Sequence, residues 1–190
     1  MALTKEQGNQ LLHFAREAIS IYMEKKEYLK VKDPDAWLLE NRATFVTLKI
    51  RGKLRGCIGH LHAIQDVHKD VIDNAVAAAF FDSRFSALKK EELDKVHIEI
   101  SVISPPETLQ FKGSEDLLRK LDDKKGVTLI DKLNGLTLST FLPQVWEEIP
   151  DRKEFLSNLC VKAGLPEDYW EKHTDKLHVE VYAVEIFGEK

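Results

Sequence analysis

Cysteine is scarce: Cys57 and Cys160 are the only two in 190 residues. They lie far apart and form no C-x-x-C pair, so neither a disulfide framework nor a structural zinc site is indicated, and reduced thiols are the default. An excess of basic charge is also missing. Lys and Arg number 28 against 32 Asp and Glu, the formal net charge is -4, and no run of five like charges occurs. That balance gives no electrostatic footprint for a polyanion, and the doublets Lys25-Lys26 and Lys89-Lys90 adjoin glutamates, as solvated helix surfaces do. No apolar run approaches membrane-spanning length, and MALTKEQGNQ lacks the basic-then-apolar order of a secretory signal. The expectation is a soluble cytoplasmic protein that engages neither membrane nor nucleic acid.

With 43% hydrophobic residues, the chain can bury a core as one domain or as two small lobes. Thr4 and Gln7 form a capping-box pair, and Leu11, Leu12, Phe14, Ala15, Ala18, Ile19 and Tyr22 recur at helical spacing, predicting a helix to about Leu29. Pro34 marks an irregular connection, and ATFVTLKI is then a strand. Arg51-Gly52-Lys53 is a tight turn, and LRGCIGHL returns as a second strand. From Ile64 to Phe81 an apolar stripe predicts a helix over the sheet, with Asp66 as N-cap. In VHIEISVI the residues Val96, Ile98, Ile100 and Val102 face one way and His97, Glu99 and Ser101 the other. A short helix near 114–121 precedes a hairpin of GVTLID and LTLSTFL. Two helices then start near Pro143 and Asp151, Gly164 ends the second, and HVEVYAVEIF closes as one strand. Hairpins mixed with helices in this order give an α+β fold with largely antiparallel sheets covered by helices.

The stretch KIRGKLRGCIGHLHAIQD holds most of the chemistry. An extended Leu54–Gly59 segment puts Arg55 and Cys57 on one face, where a guanidinium would favour the thiolate, a nucleophile or redox group. Gly56 and Gly59 leave room for a ligand or for another backbone. The competing reading is structural: free cysteine is among the most buried residue types, and strand glycines often serve packing. Arg51, Lys53 and Arg55 suit an anion, but the Lys-Ser/Thr of a P-loop is lacking. His60, His62, Asp66 and His68 carry metal-ligand atom types, but they read first as surface polar residues leading into a helix that Asp66 caps, and no metal site is assigned. In FFDSRF, Asp82 is read as ending a helix and Arg84 as pairing with a carboxylate, or both as lining a ligand site. Glu99 and Ser101 are on the polar face of their strand, where Glu99 is a conceivable partner for Arg55 or Arg84. Trp146 and Trp170 are expected in the core or at a lobe interface rather than as ligand-stacking platforms.

The segments LRGCIG, NAVAAAFFDSRFSAL, EISVISPP, GVTLID with TFLPQVW, and EFLSNLCVKAGL resemble the AMMECR family, over roughly Leu11 to Phe187. The resemblance implies a single domain of that type over 1–190, divided into a larger lobe holding both termini and a smaller lobe, with LRGCIG as the suspected functional segment. It also implies a pathway link to Memo-type and radical-SAM proteins. His60 and His62 are local departures, since the family motif does not require histidines there. Two functions remain open. One is an enzyme or enzyme component acting on a small molecule or modified side chain, with Cys57 and Arg55 catalytic, Gly56, Gly59, Asp82, Arg84, Glu99 and Ser101 binding ligand, and the cofactor unspecified. The other is a non-catalytic module that binds a small-molecule or protein ligand in the same place. The enzyme reading lacks a base, for which His97, His60 or His62 is available.

Overall fold

The computed structural model describes residues 2–189. In chain order the elements are α1 (Lys5–Lys25), β1 (Ala43–Ile50), β2 (Lys53–Gly59), α2 (Val67–Phe80) and β3 (Val96–Ile103). There follow β4 (Glu107–Thr108), α3 (Gly113–Lys120), β5 (Gly126–Asp131), β6 (Thr137–Phe141), α4 (Val145–Glu148), α5 (Arg152–Lys162), α6 (Tyr169–Lys172), β7 (Leu177–Tyr182) and β8 (Val184–Gly188). The chain divides into two compact units: Met1–Ser104 with Glu185–Lys190, and Pro105–Val184. Each has its own four-stranded sheet, so the fold is α+β with antiparallel pairing.

In the first unit the sheet order is β2-β1-β3-β8. Ile50 pairs with Lys53, leaving Arg51 and Gly52 as the turn, both at positive φ (52° and 76°). Two such residues match the hand of the turn to the strand twist, which is why so short a link forms a hairpin. Val46 and Leu48 on β1 and Ile98 and Ile100 on β3 are fully buried against α1 and α2. The capping box forms as expected, Thr4 accepting from the Gln7 N–H and Gln7 from the Thr4 N–H. Arg16 fastens α1 to the sheet: it donates to the carbonyls of Leu93 (2.7 Å) and Val96 (2.6 Å) and pairs with Glu189, which accepts the Ile98 N–H at 2.8 Å.

The second unit has strand order β4-β7-β5-β6. Its core centres on Phe155, fully buried, with the Trp146 ring stacked on it at 3.6 Å. Both tryptophans are buried, and each indole N–H has an acceptor: Lys125 O for Trp146 (2.9 Å) and Ser157 Oγ for Trp170 (3.1 Å). Asp151 caps α5 by accepting the N–H groups of Lys153 and Glu154, and Gly164, at φ 73°, follows its end.

Four expectations are corrected. Helix α1 stops at Lys25 rather than near Leu29, because Lys26 turns left-handed (φ 59°) and closes on the Tyr22 carbonyl; Leu29 still packs beside Ile72 and Val76 from outside the helix. Helix α2 starts at Val67 rather than Ile64, and Asp66 stands at its N-cap without capping, its carboxylate held instead by Lys69 at 2.5 Å. Past Pro143 the described residues form three α-helices, not two, and a further 3-10 turn over Thr174–Lys176, since the four-residue helix Tyr169–Lys172 and that turn escape a periodicity test. HVEVYAVEIF is two strands: β7 pairs with β4 and β5 in the second sheet, and β8 joins the first.

Candidate functional site

Pairing fixes which residues of β2 share a face. Cys57 lies opposite Thr47 on β1, and Thr47 lies opposite Glu99 on β3; one row further along stand Gly59, Phe45 and Ser101. The sheet therefore brings Cys57, Gly59, Glu99 and Ser101 onto one half-buried polar face, pointing away from the buried Val46, Leu48, Ile98 and Ile100. The Thr47 hydroxyl donates to Cys57 Sγ at 3.3 Å. With strands about 4.8 Å apart, Glu99 is two strands from the thiol, and its carboxylate takes Lys49 Nζ at 3.0 Å. His97 is opposite Lys49, in a different row.

Arg55 departs from the expected geometry. Leu48 pairs with Gly56 but Lys49 with Leu54, so Arg55 is the extra residue of a β-bulge. The bulge re-aims its side chain: the guanidinium forms two bonds with Glu92 (2.9 and 3.0 Å) and donates to Ser86 O at 2.9 Å and Ala87 O at 3.4 Å. Arg55 thus fastens β2 to the segment before β3 instead of attending Cys57. The paired Arg55 holds the Glu92 carboxyl down at about 2, against the resistance of burial, and Glu92 in turn raises the Arg55 guanidinium.

Asp82 and Arg84 act on the backbone of the motif. Asp82, buried, accepts the Cys57 N–H at 2.9 Å, and Arg84 donates to the Cys57 carbonyl at 3.0 Å while bonding Asp82 at 2.9 and 2.7 Å. β2 is an edge strand, and the pair satisfies at Cys57 the two groups that another strand would otherwise take. Arg84, helped by the Cys57 N–H, holds the Asp82 carboxyl well below the usual carboxylate range. The conceivable Glu99 partnerships with Arg55 and Arg84 are replaced by Lys49–Glu99, Arg55–Glu92 and Arg84–Asp82.

The glycines are required by packing. A Cβ on Gly56 would lie 2.1 Å from the Ala78 carbonyl oxygen of α2, and one on Gly59 would lie 2.3 Å from Thr44 O and 2.4 Å from the Phe45 ring. The close neighbour is therefore this protein's own backbone and an aromatic ring.

The histidine and aspartate array is dispersed. His60 Nδ1 meets Asp70 Oδ1 at 2.7 Å, His68 Nδ1 meets Leu38 O at 2.7 Å, and Asp66 holds Lys69. Among the described residues no group of three or more His, Cys, Asp or Glu side chains is placed to hold a metal ion. The second thiol, Cys160, is fully buried on α5, and burial pushes it up.

Sequence reasoning passed over Thr44, Asp70 and Asn74, which form a buried polar cluster beside the motif. Asp70 is fully buried, and its Oδ2 accepts from Thr44 N (2.8 Å), Thr44 Oγ1 (2.6 Å) and Asn74 Nδ2 (3.0 Å). A signal existed: Asp70 and Asn74 stand four apart in step with Val67, Val71, Ala75 and Ala78, and polar residues on an apolar stripe are the informative exceptions.

The chain matches the AMMECR1 family over residues 12–187. A protein of Methanopyrus kandleri is 34% identical over 99% of this chain and 91% of its own length, and one of Methanothermobacter thermautotrophicus is 35% identical over 98% and 96%. The crystal structure of an uncharacterized protein from Pyrococcus horikoshii superposes with a TM-score of 0.81 at 33% identity, covering 99% of this chain and 94% of that one. Family match, full-length relatives and shared fold agree: this chain belongs to the AMMECR1 family.

Proposed function

We propose that the protein is a binding module whose contact surface is the polar face around Cys57, taking a small molecule or a protein segment in a reducing, cytoplasmic setting. The observation that carries this reading is the commitment of the motif's charged groups to the fold. Arg55 is held by Glu92, Asp82 and Arg84 hold the Cys57 backbone, and the side chains beside Sγ are the Thr47 hydroxyl and the Arg84 guanidinium rather than an imidazole. What stays available on that face is half-buried Phe45, Thr47, Cys57 and Ser101 beside the Lys49–Glu99 pair, a mixture of apolar and hydrogen-bonding groups suited to recognition. By the family resemblance, a Memo-type or radical-SAM protein is the first partner to try.

An enzyme or enzyme component using Cys57 as nucleophile is the second reading, favoured by the half-exposed thiol and its hydroxyl neighbour. Alkylation of the native protein separates the two. The binding reading expects Cys57 to alkylate at a rate that Arg55→Met leaves unchanged, and a partner retained by Cys57→Ala but lost by Thr47→Arg. Alkylation as fast at pH 6 as at pH 8, or a partner held only through the thiol, would restore the catalytic reading.

A further inference from the structure

Half-exposed His60 and buried Asp70 form a titratable pair that has no part in the Cys57 face. His60 pairs with Thr44, its backbone N–H donating to Thr44 O at 2.9 Å, so its side chain lies on the α2 side of the sheet with the buried Thr44. Cys57 is on the opposite side, opposite Thr47. The imidazole meets a carboxylate with no exposure of its own: Asp70 is 0% exposed, whereas His60 is 37% exposed.

The hydrogen-bond directions around Asp70 define the imidazole. Thr44 N–H can only donate, and it donates to Oδ2. The Thr44 hydroxyl gives its proton to the same oxygen and accepts in turn from Asn74 Nδ2 at 3.2 Å, while Asn74 also donates to Oδ2. Gln65 Nε2 reaches Oδ1 at 3.4 Å and Asp73 at 3.0 Å. His60 aside, the side-chain and backbone groups bonded to the Asp70 carboxyl are donors, three on Oδ2 and Gln65 on Oδ1, as suits an acceptor-only carboxylate. His60 Nδ1 stands 2.7 Å from Oδ1 and 3.4 Å from the Asn74 amide nitrogen, so the shorter contact to the carboxylate favours hydrogen on Nδ1, and in the neutral ring the lone pair then resides on Nε2. Among the described residues no hydrogen-bond partner engages Nε2.

We propose that His60, oriented by Asp70, is a positioned proton acceptor: Nε2 takes a proton from a polarised O–H, S–H or N–H group of a small molecule arriving from solvent. The step moves one proton and leaves the substrate as its conjugate base. The imidazolium formed is stabilised through its Nδ1–H by the buried carboxylate, which need not itself become protonated. Thr44 and Asn74 hold that carboxylate from β1 and α2, so the imidazole is fixed by regular elements even though it lies just past the end of β2. His62, two residues on, is exposed and has no share in Asp70. This activity is independent of the binding face, because the two sites lie on opposite sides of one sheet.

The test uses the full-length protein. Nitrogen-15 shifts of the imidazoles at neutral pH should show His60 as the Nδ1–H tautomer, and carbethoxylation followed residue by residue by mass spectrometry should modify His60 faster than the more exposed His62. Asp70→Asn turns an amide donor towards Nδ1, so it should flip the tautomer and slow His60 modification about tenfold, the lower end of what losing an orienting partner costs a histidine. A wild-type Nε2–H tautomer overturns the proposal without any variant, so an Asp70→Asn protein that fails to fold does not shield it. The Nδ1–H tautomer with His60 no faster than His62 also overturns it, since a histidine serving only to satisfy Asp70 would behave that way.

Discussion

The Asp82 carboxylate accepts the backbone N–H of Cys57 at 2.9 Å, so a side chain stands where a further strand would pair with the edge of β2. The LRGCIG segment is thus closed at Cys57 by an acid 25 residues further on.

Removing that acid should be felt at the strand first. Asp82→Ala leaves the Cys57 N–H without its acceptor, which costs about 1–3 kcal/mol. Equilibrium denaturation should show the loss, and the Cys57 amide should exchange its hydrogen faster than in the parent.

Acid should weaken the Arg55–Glu92 tie. Arg55 draws Glu92 from 4.5 down to about 2, and a depressed carboxyl stabilises the native state above its unfolded value and loses that contribution as pH falls through the folded one. The stability advantage of the parent over Glu92→Gln should be full above about pH 5 and should vanish by about pH 2. Urea titrations of both proteins across that range check it.

Gly56→Ala should be poorly tolerated because the new methyl would meet a helix carbonyl, 2.1 Å away, rather than a yielding side chain. A cost of about 3 kcal/mol, the upper end of ordinary overpacking, is expected. Gly52, with nothing within 4 Å of a built Cβ but with φ 76°, should lose less on the same change, through backbone strain alone. Thermal melts of the two variants give the comparison.

In the second unit, Phe155→Ala removes the ring on which Trp146 stacks. The loss should be about 3–5 kcal/mol. Trp146 emission should shift to longer wavelength as its packing loosens, which native-state fluorescence reports.

Local pattern carried much of the fold. The capping box at Thr4, the strand Ala43–Ile50, the turn at Arg51-Gly52 and the alternation of Val96–Ile103 are all readable because the signals involve neighbours in sequence and the hydrophobic period matches the element. The faces of β3 were legible for the same reason, and with them the placing of Glu99 and Ser101. Arg55 was misplaced because a bulge adds one residue to β2 and breaks its alternation, and a bulge depends on the partner strand.

By itself, then, the sequence determined the family, the class of fold and most strand faces, since period, caps and turn residues act over a few positions. Tertiary structure decided what each polar group does. Glu92 rather than Cys57 receives Arg55, Asp70 receives His60, and HVEVYAVEIF divides between two sheets although its alternation runs on unbroken. Each outcome turns on partners 10 or more residues away, and a charge or an edge strand is satisfied by whichever group the folded chain brings within hydrogen-bonding distance.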